Sequence, residues 1–178
     1  MKNYLGIDVG SISTNLVLIN QKAKVLADLY LRTEGNPIGA IQRGLEELAK
    51  KNSGKTKICG VGTTGSARYL AGVITGADLI KNEITAHAKG AFFFVPKVRT
   101  VIEIGGQDSK IIILENGVAV DFAMNLICAA GTGAFLDAQA FRLGIPVEKF
   151  GGLALKSKNL TSIGSRCPIF AESDMIHK

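Results

Sequence analysis

Apolar residues in this chain fall into short runs divided by polar or glycine-rich breaks. Residues 4–8 predict a strand that stops at Gly10, and residues 15–19 and 25–31 predict two more, joined by a polar Asn-Gln-Lys turn. Pro37 predicts the start of a helix, because proline suits a first helical position. Ile38, Ile41, Leu45, Leu48 and Ala49 then keep helical spacing. Residues 56–61 predict a strand entering a Gly-Thr-Thr-Gly turn. Residues 80–92 predict a helix, with Pro96 closing the run that follows.

A second series begins near residue 97. Residues 100–104 predict a strand ending in Gly105-Gly106, residues 110–114 another, and residues 118–123 a third. Asn116-Gly117 predicts a tight hairpin between the last two. Residues 132–144 predict a helix stopped by Gly144, and Pro168 predicts the start of another. Strand, glycine turn and strand thus occur twice. The pattern predicts an α/β protein of two related units, residues 1–96 and 97–178. The second lacks closing strands, so an incomplete second subdomain, a fragment of a longer protein, is expected.

Composition narrows the class. The 178 residues are 47% hydrophobic and 20% charged, enough for one core or a small domain plus part of another. With 21 glycines, 4 prolines and no tryptophan, the balance fits a globular chain rich in tight turns. The net charge is +6, and its densest run, residues 50–57 (KKNSGKTK), has no aromatic residue and reads as a solvated loop. No nucleic-acid motif accompanies it, so no nucleic-acid partner is expected. Asp8 interrupts the first apolar run, which argues against a signal peptide. No apolar stretch approaches the ~20 residues needed to cross a bilayer, so a soluble, cytoplasmic protein is expected. Three cysteines in that setting point to thiols or metal ligands.

Two loops carry candidate chemistry. In Asp8-Val9-Gly10-Ser11, glycine lets backbone amides turn inward toward an anion, while Ser11, Ser13 and Thr14 add hydroxyls. Asp8, at a strand end, suits Mg²⁺ held through water. Residues 103–108 (Glu103, Ile104, Gly105, Gly106, Gln107, Asp108) repeat the arrangement. Alone, each is equally a plain glycine hairpin; as a pair they suit the gripping of a polyphosphate from both sides.

Cys128 and Cys167 each precede a predicted helix, where free amides and partial positive charge favour a thiolate. An iron–sulfur cluster takes four cysteines, so two from each chain of a symmetric dimer would suffice. Small buried hydrophobes are the alternative, and the residues alone favour it. Cys59, inside a predicted strand, reads as core. His87 stands four residues after Glu83 with no third ligand nearby, and Arg68 reads equally as a phosphate contact or a capping residue.

The ordered motifs GIDVGS, IEIGGQDSK, NLICAAGTGAFL and RCPIFAESD resemble the ATPase activators of 2-hydroxyacyl-CoA dehydratases and the related ATPase subunits of benzoyl-CoA reductases. The likeness runs from Tyr4 to the last residue. It implies an actin-like or sugar-kinase-like ATPase fold with ribonuclease H-like subdomains. It implies ATP or ADP, Mg²⁺ and a [4Fe-4S] cluster shared by a homodimer, with Cys128 and Cys167 as ligands. By position, Gly10, Ser11, Ile12, Ser13, Thr14 and Asn15 would form the first phosphate loop. Gly105, Gly106 and Gln107 would form the second, and Asp137 would face the nucleotide. Asp8, Glu103 and Asp108 would surround Mg²⁺ and the attacking water. The implied partners are a dehydratase or reductase and a ferredoxin or flavodoxin as electron donor. Relatives often carry Lys in place of Asn15 and Asp in place of Glu103, and their adenosine-binding glycine motif lies beyond residue 178. A small-molecule kinase, or a non-catalytic module that binds nucleotide or dimerises, is the competing expectation.

Overall fold

The computed structural model describes residues 2–52, 56–125, 131–165 and 167–178. They form two compact units: Met1–Arg99 with Leu114–Ala119, and Thr100–Ile113 with Val120–Lys178.

The first unit is built on strands β1 (Asn3–Val9), β2 (Ser13–Asn20) and β3 (Val25–Arg32), then helix α1 (Pro37–Lys51), β4 (Ile58–Thr64), α2 (Arg68–Thr75), β5 (Leu79–Ile80) and α3 (Glu83–Phe94). The sheet order is β3-β2-β1-β4-β5. β1 pairs antiparallel with β2 and parallel with β4. Alternation along β1 sends Leu5, Ile7 and Val9 into the core, where they meet Leu16 and Leu18 of β2 and Ile41 and Leu48 of α1. Asp8 therefore lies on the opposite face, in register with Asn15 and Thr64.

Local chemistry sets the helix ends. Asn36 caps α1 by accepting from the Gly39 amide at 2.9 Å, Pro37 occupies the first turn, and Lys50 and Lys51 sit at the negative end. Asn82 caps α3 in the same way through the Thr85 amide. That cap displaces the predicted helix start at residue 80: Ile80 pairs with Thr63 as an edge strand, and the Lys81 amide bonds the Thr63 carbonyl.

The sequence pattern missed α2, and the burial explains why. Its buried residues are Ala71 and Gly72, while Tyr69, Val73 and Ile74 are exposed. Small residues let the helix approach Thr63 and Ile80 closely, so hydrophobicity does not mark the buried side. Cys59 also corrects its expected core position: it is exposed, because the early part of β4 has no cover.

Strands β6 (Thr100–Ile104), β7 (Ser109–Glu115) and β8 (Val118–Met124) form a second sheet in that order. Asn116 and Gly117 both take positive φ, as the predicted Asn-Gly hairpin requires. Helices α4 (Gly133–Arg142), α5 (Val147–Ala154) and α6 (Pro168–His177) follow. α5 buries none of its residues and contains Gly151-Gly152, so neither periodicity nor propensity announced it. No described helix is long and apolar enough to cross a membrane.

Ile41 is fully buried between α1 and the sheet. Ile41→Ala is expected to lower stability by about 2–5 kcal/mol in urea unfolding followed by circular dichroism. A loss below about 1 kcal/mol would show that α1 is not seated as described.

Candidate functional site

The first candidate loop is the turn between β1 and β2. The Gly10 amide donates to the Ser13 carbonyl at 2.9 Å and closes it. Thr33 braces it from β3's end: its hydroxyl donates to the Gly10 carbonyl at 2.9 Å, and its amide donates to the Ile12 carbonyl. The Thr33 hydroxyl proton being so used, the fully buried Thr14 is the donor in the 3.0 Å bond between the two threonines. Thr14 thus stiffens the loop from inside, while Ser11 is exposed and Ile12 and Ser13 are half-buried.

Asp8 stands at the end of β1. Asn15 Nδ2 lies 3.4 Å from both Asp8 Oδ2 and Ser13 Oγ, a long contact for a neutral amide. Thr64, the register partner of Asp8 on β4, has a buried hydroxyl with no hydrogen-bond partner among the described residues. Gly65 follows at φ +87, and a Cβ there would collide with Asp8 Oδ1 and with the Val9 carbonyl oxygen. The β4–α2 turn is therefore pressed onto the end of β1, and the Ala67 amide bonds the Val9 carbonyl. Arg68 donates to the Gly65 carbonyl at 3.1 Å and lies over the Tyr69 ring, so it braces this turn. Asp8, Asn15 and Thr64 line a cavity of about 500 Å³ with Lys81, Thr85 and Lys89.

The second candidate loop joins β6 to β7 and is closed by the same bond: the Gly105 amide donates to the Asp108 carbonyl at 2.8 Å. It rests on the start of α4, whose Gly133 and Ala134 amides donate to the carbonyls of Gly105 and Gly106. Two of the helix's first amides thereby find partners. A Cβ on Gly133 would come within 3.1 Å of the Gly105 oxygen, so glycine permits the seat. Gln107 is exposed, and Asp137 lies half-buried on α4.

Glu103 and Asp108 do not stand alone. The Lys110 ammonium donates to Glu103 Oε2 at 3.0 Å and to Asp108 Oδ1 at 2.7 Å. The lysine side chain is 3% exposed, against 17% for Glu103 and 38% for Asp108. Sequence reading passed over Lys110, which occupies the inward phase of β7 shared by Ile112 and Leu114. A lysine in that phase, two residues after an acid, was the available signal. Thr33, Thr64 and Gly65 were missed because their partners are distant in sequence.

Cys167 is half-buried at the N-cap of α6, where its carbonyl accepts from the Ala171 amide. Nearby, Asp174 accepts from the Gly164 amide at 2.9 Å, and Arg142 of α4 pairs with Glu172 of α6. Cys128 lies outside the described residues. Among the described residues, no three or more His, Cys, Asp or Glu are grouped as a metal site. Cysteine sulfur is a soft donor, so the residue types at Cys128 and Cys167 fit iron. The oxygen donors of Asp8 and Thr64 fit a hydrated Mg²⁺.

The sequence model of the BadF/BadG/BcrA/BcrD ATPase family matches residues 5–178. The chain is 38% identical over 173 residues to the (R)-2-hydroxyglutaryl-CoA dehydratase activating ATPase of Acidaminococcus fermentans, covering 97% of this chain and 65% of that protein. The crystal structure of the Acidaminococcus fermentans (R)-2-hydroxyglutaryl-CoA dehydratase component A superposes with a TM-score of 0.86 at 36% identity, over 99% of this chain and 68% of that one. An activator of the 2-hydroxyisocaproyl-CoA dehydratase from Clostridium difficile, solved with bound ADPNP, gives 0.85 at 36% identity, over 98% and 65%. This chain thus spans about two thirds of the length of these relatives. Its fold is that of the activator ATPases, within the actin-like and sugar-kinase-like class.

Gly65→Ala would place a Cβ against the Val9 backbone at a left-handed φ. It is expected to destabilise the fold by more than about 1 kcal/mol in urea unfolding. Unchanged stability would show that the turn yields freely and does not fix Asp8.

Proposed function

The chain belongs to the BadF/BadG/BcrA/BcrD ATPase family, and on that premise we propose that it is the nucleotide- and cluster-bearing part of an ATP-dependent activator of a 2-hydroxyacyl-CoA dehydratase or related reductase. The observation that carries this reading is the pair of hairpin turns, each closed by a glycine amide, the first beside Asp8 and the second beside Glu103 and Asp108. The two units serve as the two ATPase subdomains.

In this reading the turns at 10–15 and 105–107 present amides and hydroxyls to the phosphates. Asp8 would hold a hydrated Mg²⁺, and Glu103 and Asp108 would orient the attacking water. Water adds to the γ-phosphorus as the bond to the bridging oxygen breaks, leaving ADP and phosphate. Asp137 faces the nucleotide. Asn15 contributes a neutral amide beside Asp8, which leaves more of the phosphate charge to the metal and the backbone.

Cys128 and Cys167 of two chains would hold one [4Fe-4S] cluster on a dimer axis. Such a cluster supplies a single strongly reducing electron. Nucleotide-dependent movement of the helices would then gate delivery to the partner, and a ferredoxin or flavodoxin would restore the electron.

The test is iron and acid-labile sulfide per chain after anaerobic reconstitution, with mass determined on the same sample. About two irons per chain in a dimer are expected from one shared four-iron cluster. Cys167→Ser should lose the iron while keeping its circular dichroism spectrum. A folded wild-type chain that takes up no iron would remove the electron-transfer reading and favour a kinase-like or non-catalytic module.

A further inference from the structure

Lys110 occupies a place where a cation would otherwise be drawn. Its ammonium touches one oxygen of Glu103 and one of Asp108, and its side chain is almost wholly enclosed. Gly105 closes the same space: a Cβ there would meet Asp108 Oδ1 at 2.9 Å and Glu103 Oε1 at 3.0 Å. The acids, the lysine and the turn therefore form one tightly seated unit, supported by the α4 amides on the carbonyls of Gly105 and Gly106.

We propose that Lys110 is a positioning residue that serves as the resident cation of the second loop, aligning Glu103 and Asp108 and keeping a free divalent ion off them until nucleotide arrives. The inference rests on reading this loop as part of a nucleotide site. Mg²⁺ gives up its waters reluctantly and is usually held through one or two carboxylates plus substrate phosphates. A loop whose carboxylates already hold an ammonium offers such an ion little on its own. Nucleotide phosphates add the missing negative charge, so metal and nucleotide enter together. A lysine serves this purpose because it is a compact point charge on a flexible stem. Arginine carries the same charge and is expected to substitute in part.

The experiment uses Mn²⁺ as the probe, with its free signal read by electron paramagnetic resonance on the full chain without nucleotide. Wild type is expected to bind weakly, Lys110→Met at least about tenfold more tightly, and Lys110→Arg close to wild type. A folded Lys110→Met chain with wild-type Mn²⁺ affinity overturns the proposal. Removing one partner of a buried ion group also endangers folding. If Lys110→Met is unfolded alone, Mn²⁺ should refold it at concentrations that leave wild-type stability unchanged, since a cation replaces the lost ammonium. Failure to refold overturns the proposal equally. Iron uptake by wild type after anaerobic reconstitution is measured in parallel: its absence would count against the activator reading, while the metal comparison would still report on Lys110.

Discussion

A glycine amide bonded to the carbonyl three residues ahead closes both candidate loops, at 2.9 Å in one and 2.8 Å in the other. Everything else in the two candidate regions is arranged around these bonds. Each reverses an antiparallel strand pair tightly enough to set a carboxylate at a strand end. Each leaves little room for a Cβ on its glycine. At Gly10 the limit is the Ser13 carbonyl; at Gly105 it is a pair of acid side chains.

The two loops are braced differently. The first leans on side-chain hydroxyls: Thr14 donates to Thr33, and Thr33 donates to Gly10. The second leans on a helix, whose first amides bond its carbonyls. The difference has an electrostatic counterpart. Asp8 has a neutral amide at 3.4 Å, while Glu103 and Asp108 have an ammonium. The first loop offers a carboxylate near a hydroxyl that has no partner among the described residues, and the second an acid pair that already holds an ammonium.

Much of this was legible before any coordinates. Alternation in β1 and β2, the Pro37 helix start, the Asn116-Gly117 hairpin and the Pro168 helix start all appear as the pattern indicates. They share a cause: each depends on residues within a few positions of one another. The failures share the opposite cause. α2 buries alanine and glycine, so its packing face is visible only once Thr63 and Ile80 lie beside it. Cys59 lies in an apolar stretch, yet whether a strand residue is covered depends on what packs over it.

The amino-acid order by itself determined the strand–glycine–strand repeat, the acids at the strand ends and the family likeness, because turn chemistry and short motifs act locally. Only the tertiary structure decided which groups those acids meet. Asp8 faces Thr64 and Gly65 because β4 runs parallel beside β1, more than fifty residues along the chain. Thr33 reaches back 23 residues to Gly10 because β3 ends beside the β1–β2 turn. Lys110 lies between Glu103 and Asp108 because β6 and β7 pair in one register, and a slip of one residue would turn it to the other face.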